Sequence, residues 1–179
     1  ADAPGTIISP LSYGINQDQG LSYAPFWRQG GNRMTGYNWE NNTSNAGSDY
    51  QHNSDYYLLS YEGIPANGSQ MPGTVVTHYV ERARSRGGES LITLQMAGYV
   101  TADAYGTVPV DQTAPSVRWE PVSFTKGAPF IFPPEKEDDA VYLDEFVRFL
   151  IDTEGSSTTG GVRYYSLDNE PALWVSTHP

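Results

Sequence analysis

The 179-residue chain is 38% hydrophobic and 17% charged, a composition typical of a folded globular domain that excludes a disordered one. Its formal net charge of −11 argues against nucleic acid or an anionic membrane surface as partner, because both are bound through Lys and Arg. The absence of cysteine from the sequence excludes disulfides, thiolate catalysis and cysteine-based zinc sites.

Three short strands and one helix are predicted in the first half of the chain. Extended runs at 6–8 and 13–16 and a candidate strand at 32–35 precede a helix over 74–86. The segment 38–55 is polar, carries no core pattern and is predicted to be a loop. The apolar residues that share one face of the predicted helix are Val75, Val76, Tyr79, Val80 and Ala83.

The second half begins with a buried type of strand at 91–96. The following segment, 97–134, is rich in proline and lacks periodicity, and long segments of this kind are functional or form a small hairpin layer. A helix is predicted over 138–153, ended by Gly155, and a strand over 162–167. The apolar stripe of that helix consists of Ala140, Leu143, Val147, Leu150 and Ile151.

The alternation of strands and helices predicts an α/β fold with a parallel sheet. Candidate strands at 13–16, 32–35, 91–96 and 162–167 account for four strands by residue 170. Because an eight-stranded (β/α)8 barrel takes about 250 residues, the chain is predicted to be the first half of such a barrel.

The last predicted strand ends in Asp168, Asn169, Glu170 and Pro171. A carboxylate at this position lies on the rim where catalytic side chains of barrel enzymes are found. Trp174 follows Glu170 closely and offers an aromatic surface for a sugar ring. The segment therefore predicts a group that protonates a glycosidic oxygen.

Five segments resemble glycoside hydrolase family 44, a family of endo-acting β-1,4-glucanases. They are GGNRMTGYNWEN at 30–41, DY at 49–50, FTKGAPF at 124–130, YLDEFV at 142–147 and YSLDNEPALW at 165–174. The resemblance implies a (β/α)8 barrel with an appended β-sandwich built from both chain ends. Residues 1–12 would then supply a sandwich strand, and residues 13–179 the N-terminal half of the catalytic barrel.

The resemblance also implies retaining hydrolysis, which needs two carboxyl groups about 5–5.5 Å apart. Glu170 corresponds to the family's general acid/base, and the nucleophile is another Glu that lies beyond this sequence. Asn169 is expected to bond a sugar hydroxyl next to the reacting carbon, with a turn residue as the alternative. Asp168 is expected to orient its neighbours rather than to react.

Two other glutamates are candidates for the nucleophile. Glu40 follows a predicted strand closely enough to reach a cleft, but the family pattern makes it a residue that stabilises a loop or contacts sugar. Glu145 lies on the predicted helix away from its apolar stripe, so it is expected to be a solvated surface charge.

Candidate sugar platforms are Trp39, Trp174, Trp27 and Tyr37, because the apolar face of a β-glucosyl ring packs on an aromatic plane. The alternative for each is a place in the hydrophobic core. Arg33 is expected to brace the floor of the site by pairing with a carboxylate, for which its forked guanidinium is suited. Asn38 is expected to contact sugar hydroxyls.

A structural Ca²⁺ site is predicted at Glu135, Asp138 and Asp139, with Glu62 as a more distant ligand, because Ca²⁺ takes six to eight oxygen ligands. The alternative is that these acids only favour the start of the following helix. No cofactor is expected for catalysis.

The sequence is interpreted as part of a secreted, extracellular endo-β-1,4-glucanase that acts on cellulose-like glucans, xyloglucan or xylan. Its partners would be a β-1,4-linked polysaccharide and the remainder of the same protein, which completes the barrel. A non-catalytic, lectin-like carbohydrate-binding protein is the rival, since aromatic, amide and acidic side chains suit that role too. Another barrel glycosidase acting on xylan or mannan is a third interpretation.

Overall fold

The computed structural model describes residues 5–17, 23–65, 67 and 71–179. In chain order, the strands are β1 (Gly14–Asn16), β2 (Phe26–Gln29), β3 (Ser44–Asn45), β4 (Asn53–Asp55), β5 (Glu89–Leu94), β6 (Tyr99–Thr101), β7 (Gly106–Thr107), β8 (Trp119–Ser123), β9 (Val141–Tyr142) and β10 (Tyr164–Leu167). The α-helices are α1 (Asn32–Thr35), α2 (Tyr57–Tyr61), α3 (Thr74–Ser85), α4 (Leu143–Glu154) and α5 (Trp174–Thr177).

A four-stranded parallel sheet in the order β1-β2-β5-β10 forms the centre of the fold. Each later strand is added on the same side of the one before it. Helix α3 lies between β2 and β5 in the chain, and α4 lies between β5 and β10. Because the strands are parallel, their carboxyl ends meet at one edge of the sheet, and residues that follow the strands gather there.

One face of the sheet is covered by α3 and α4. Trp27 and Ile92 point to this side and belong to a buried cluster with Tyr79 of α3 and Phe146 of α4. The opposite face is only half-buried, and there the rings of Phe26 and Tyr164 meet edge to face at 5.3 Å. One face of the sheet is therefore covered by helices, and the other is partly exposed to solvent.

Three of the four predicted strands are confirmed, at β1, β5 and β10, but the strand predicted at 32–35 is wrong. Those residues form α1, with Met34 and Thr35 buried. Gly31, at φ 90°, turns the chain directly after β2, so the strand precedes the glycine pair instead of following it. Strand β2 was not predicted, because the polar and aromatic residues of its segment obscure the pattern of a strand.

The polar segment 38–55 is folded rather than an open loop. Its buried polar residues are Asn38, Glu40, Asn42, Thr43, Ser44, Asn45 and Ser54. Their hydrogen bonds replace apolar contacts: Asn42 donates to the carbonyl of Met71 at 2.7 Å, and Asn45 donates to the Ser54 hydroxyl at 2.9 Å. A buried polar layer of this kind needs nearly complete pairing to be stable.

The long segment after β5 forms the small strand layer that was one of its two predicted forms. Strand β8 pairs antiparallel with β6 and parallel with β9. Because Val141 and Tyr142 belong to β9, α4 begins at Leu143, later than predicted. Helix α3 matches its predicted position closely.

The segment 6–8 forms no strand within the described part of the chain, and the Ile7 side chain is exposed. Residues 1–4 lie outside the described residues. The assignment of residues 1–12 to a β-sandwich strand stays a prediction. No helix among the described residues has the length and apolar character needed to span a bilayer.

Candidate active site

Glu170 lies just beyond the carboxyl end of β10, with its side chain exposed at the rim of the sheet. The turn that carries it is unusual, since Asp168 at φ 67° and Glu170 at φ 45° both adopt left-handed conformations. Non-glycine residues in this region are strained and tend to occur at functional sites. The backbone therefore holds the Glu170 carboxylate in a position that the strand alone would not produce.

Asp168 holds this turn in place. Its buried carboxylate accepts hydrogen bonds from the Thr35 hydroxyl at 2.6 Å and from the Met96 backbone N–H at 2.6 Å. It also accepts from the N–H of Asn169 at 2.7 Å. One side chain thus ties α1, the end of β5 and the turn together, which agrees with the expected orienting role.

Asn169 is buried beside Glu170 and its amide is oriented by a cation. Its Oδ1 accepts from Arg28 Nη2 at 2.6 Å, and its Nδ2 donates to Glu170 Oε2 at 3.3 Å and to Asn32 Oδ1 at 3.4 Å. Arg28 Nη1 donates to Asn16 Oδ1 at 3.0 Å. Since a guanidinium can only donate, the Asn169 oxygen must face Arg28 and its N–H groups must face the rim.

Arg28 and Asn16 were missed by the sequence interpretation. Asn16 and Arg28 lie at the carboxyl ends of β1 and β2, where polar residues signal a site once β2 is placed correctly. Gly30 makes room for this arrangement, because a Cβ there would lie 2.4 Å from the guanidinium carbon of Arg28.

Trp174 lies at the same rim and remains a candidate platform. Its indole is half-buried, and Nε1 donates to the carbonyl of Asn169 at 2.9 Å. The ring is therefore held beside the candidate acid by the backbone of the turn.

The other three predicted platforms are wrong, because the structure places them in the core. Trp39 is fully buried and stacks on Phe146 and Phe149, each at 5.3 Å. Trp27 is fully buried against Tyr79 of α3. Tyr37 is fully buried too, and its hydroxyl donates to Asn42 at 2.9 Å. None of these rings presents a face to a ligand.

Asn38 is also buried rather than available to a sugar. Its amide donates to the carbonyl of Thr101 and to Glu120, and its oxygen accepts from the Glu40 N–H. Arg33 forms the predicted fork, with Nη1 at 2.6 Å and Nη2 at 3.1 Å from the two oxygens of Asp55. The predicted pairing with a carboxylate is therefore present, and the role of Arg33 in bracing the floor of the site stays a prediction.

Glu40 and Glu145 belong to one buried cluster of charged residues around Lys126. The expectation that Glu145 is a solvated charge is wrong: it is buried, and both its oxygens accept from Lys126 Nζ at 2.9 Å. Burial, reinforced by the negative charges of Glu120, Asp138 and Glu145, raises the pKa of Glu40 from 4.5 to about 8. Glu40 therefore carries a proton near neutral pH.

This pKa predicts a pH-dependent stability. Between about pH 4.5 and about pH 8 the folded protein holds a proton on Glu40 that the unfolded chain has released, so stability falls as pH rises through this window. The substitution Glu40→Gln should remove that loss and gain roughly 1–4 kcal/mol relative to wild type across the window. Chemical denaturation at a series of pH values measures it. Glu81→Gln, an exposed site on α3, is the control, and parallel pH profiles for Glu40→Gln and wild type would contradict the prediction.

The predicted calcium ligands do not converge. Among the described residues, no group of three or more His, Cys, Asp or Glu side chains is placed to hold a metal ion. Glu62 is instead bound by Arg82, at 2.7 and 3.0 Å, and by His78. Asp138 pairs with Lys126 at 3.2 Å, and Glu135 and Asp139 are exposed. Glu62 is therefore wrong as a ligand of that site, and calcium binding itself stays a prediction.

A parallel α/β sheet with a strained acidic turn at its carboxyl edge defines the class of α/β enzymes that carry their site beyond the strand ends. The model of glycoside hydrolase family 44 matches residues 43–179. The chain belongs to glycoside hydrolase family 44.

Known relatives agree with this assignment. The chain is 51% identical over 176 residues to endoglucanase A of Paenibacillus lautus. This alignment covers 96% of the chain and 25% of the relative. It is 49% identical to beta-mannanase/endoglucanase A of Caldicellulosiruptor saccharolyticus, covering 99% of the chain and 13% of that protein. A solved family 44 xyloglucanase of Paenibacillus polymyxa, in complex with xyloglucan, superposes with a TM-score of 0.92 at 52% identity. That match covers 96% of this chain and 34% of the xyloglucanase, so the chain spans about a third of its length.

Proposed function

We propose that the chain is the N-terminal part of the catalytic barrel of a retaining endo-β-1,4-glucanase, with Glu170 as general acid/base. The observation that supports this proposal is the arrangement of Glu170 and Asn169 at the carboxyl edge of the sheet. An exposed carboxylate stands on a strained turn, next to a buried amide whose N–H groups are aimed at the same rim.

The sheet order supports a barrel. Strands β1, β2, β5 and β10 follow one another in space as they do in the chain, whereas a doubly wound sheet reverses its order. Beside β10 lies an apolar groove of about 540 Å³ lined by Leu94, Met96, Phe124, Phe130, Leu143, Val147, Ile151 and Leu167. In the longer protein, the next strand and helix of the barrel would cover this surface and supply the missing carboxylate.

The reaction follows from the rim geometry. Glu170 donates a proton to the glycosidic oxygen while the nucleophilic Glu of the remaining barrel attacks the anomeric carbon, so the leaving chain departs as an alcohol. Glu170 then accepts a proton from water, whose oxygen replaces the nucleophile at the same carbon. Asn169 donates to the hydroxyl next to that carbon, where a hydrogen bond strengthens in the transition state.

The substrate class rests on chemistry and on relatives. Amide and carboxylate groups at the rim suit sugar hydroxyls, and the chain's charge of −11 suits a neutral polymer. The relatives include an endoglucanase and a xyloglucanase, so β-1,4-linked glucans, xyloglucan among them, are the proposed substrates. Because such polymers do not enter cells, we infer that the protein acts outside the cell.

The test is hydrolysis of a β-1,4-glucan and of xyloglucan by the full-length protein, followed by NMR of the first product. The β-anomer should appear first, since two displacements at one carbon retain its configuration. The 179-residue chain alone should release no reducing ends, because it lacks the nucleophile. An α-anomer first would refute the retaining mechanism. Binding of glucan without any cleavage would favour the lectin-like alternative.

A further inference from the structure

A short helix, α5, follows the Glu170 turn and is fixed at both of its ends. At its start, the indole of Trp174 donates to the carbonyl of Asn169 at 2.9 Å, and at its end the His178 N–H donates to the carbonyl of Trp174 at 2.8 Å. The reaction described above uses neither α5 nor His178. Because only the 3₁₀ turn Pro171–Leu173 separates the helix from Glu170, a displacement of α5 is passed on to the candidate acid.

The imidazole of His178 anchors the far end of α5 against a second segment. It packs on Gly47, where an added Cβ would lie 2.9 Å from Cε1 and 3.1 Å from Nε2 of the ring, and 2.7 Å from the carbonyl of Thr177. Gly47 adopts a left-handed conformation at φ 58°, and its N–H donates to Asn45 Oδ1 at 2.8 Å. The end of the helix therefore rests on backbone that is itself held by the buried polar layer.

The ring of His178 also borders a small cavity of about 200 Å³ beside the Glu170 turn. The residues that line this cavity with it include Thr35, Asn45, His52, Tyr99 and Trp119. The Nε2 atom of His178 is buried and has no hydrogen-bond partner among the described residues. The Thr35 hydroxyl in the cavity wall donates to Asp168, so the cavity adjoins the carboxylate that holds the turn in place.

This environment favours the neutral imidazole. Burial lowers the pKa of His178 from its ordinary value of 6.5, and His52 acts in the same direction, whereas the carboxylates of Asp168 and Asp49 raise it. Within the described part of the chain, these three are the titratable groups that face the ring from the segments packed against it. Protonation would give Nε2 a hydrogen for which the structure places no acceptor, and an unpaired buried donor is costly.

Resting on the proposed function, we infer that His178 is a positioning residue for the candidate acid. Its neutral ring holds α5 against Gly47 and thereby fixes the turn that carries Glu170. The imidazolium does not keep this position, because it is drawn toward Asp168 or toward water, and both movements release the end of α5. In the first case, the carboxylate of Asp168 also exchanges one of the hydrogen bonds that hold the turn for a contact with a cation.

The first test measures kcat and KM of the full-length protein on a β-1,4-glucan. His178→Ala removes the contact with Gly47 and should lower kcat roughly 10–100-fold with little change in KM, because a misplaced catalytic group slows the chemical step without weakening substrate binding. His178→Gln keeps a polar side chain of similar reach and should recover most of this loss near neutral pH. Wild-type kcat for His178→Ala would overturn the inference.

The pH profile separates positioning from a merely structural role. His178→Gln cannot be protonated, so its kcat/KM relative to wild type should rise as pH falls below 6.5 and reach roughly tenfold at the acid end of the profile. This ratio cancels the titration of the nucleophile, which both proteins share. His78→Gln is the matched control, since His78 pairs with Glu62 on the outer helix α3, and its ratio should not change with pH. A constant ratio for His178→Gln would refute the positioning role.

A pair of glycine variants tests the same contact from the other side. Gly47→Ala adds a methyl group that meets Thr177 and His178, so it should displace α5 and lower kcat as His178→Ala does. Gly63→Ala is the control, because Gly63 at φ 70° has the same left-handed conformation but nothing within 4 Å of an added Cβ. Equal kcat for Gly47→Ala and Gly63→Ala would overturn the contact as a means of positioning.

Two further outcomes have distinct meanings. If denaturation shows that an alanine variant does not fold, the pH-dependent ratio of His178→Gln to wild type still decides the inference. Failure of wild type to cleave any glucan would instead overturn the proposed function, on which this positioning role depends.

Discussion

The substitution Glu170→Gln in the full-length protein should reduce turnover of a β-1,4-glucan by a factor on the order of 10²–10⁴ and leave glucan binding nearly intact. The amide keeps the shape and the hydrogen bond from Asn169 in modified form, but it cannot donate a proton to the glycosidic oxygen. Steady-state kinetics and isothermal titration with an oligosaccharide measure the two effects separately.

An activated substrate sharpens this test. An aryl cellobioside with a good leaving group needs no proton, so Glu170→Gln should still form the glycosyl-enzyme, and added azide should then release a β-glycosyl azide. The exposed helix residue Glu81, replaced by Gln, is the matched control. Full activity of Glu170→Gln on the polymer would reject Glu170 as the acid/base.

The second large effect is expected at Arg28, a positioning residue. Without its guanidinium the Asn169 amide can rotate and present its oxygen to the rim, where a donor is needed. A charge-assisted hydrogen bond contributes about 1.5–3 kcal/mol, so Arg28→Met should lower kcat by roughly 10–100-fold with little change in KM. Arg28→Lys should restore part of kcat, because an ammonium also only donates but lacks the fork.

Arg163→Met provides the control for Arg28. Arg163 pairs with Glu89 at the amino ends of β10 and β5, so losing this exposed ion pair should leave kcat unchanged. If Arg28→Met kept wild-type kcat, or if it only lowered the unfolding free energy, the orienting role of Arg28 would be refuted. Measuring kcat, KM and denaturation midpoints on the same preparations separates these outcomes.

Local patterns in the sequence were sufficient for several elements. The apolar face of α3 repeats with helical spacing, and the apolar run of β5 identifies a buried strand without any knowledge of its neighbours. The end of the last strand before Asp168 and the position of Glu170 beyond its tip were also predicted, because the extended run stops abruptly at Asp-Asn-Glu-Pro. The motifs at 30–41, 49–50, 124–130, 142–147 and 165–174 indicated the family correctly.

The sequence by itself thus determined three of the four central strands, the two long helices, the family and the position of the candidate acid, since each depends on residues close together in the chain. Only the tertiary structure decided which polar and aromatic side chains reach the rim. Trp39 is buried because Phe146 and Phe149 of a distant helix stack on it, and Glu145 is buried because Lys126 neutralises it from another segment. Likewise, Arg28 became a site residue only when β2 was paired between β1 and β5. Burial and pairing are set by contacts between residues far apart in the chain, and no local periodicity records them.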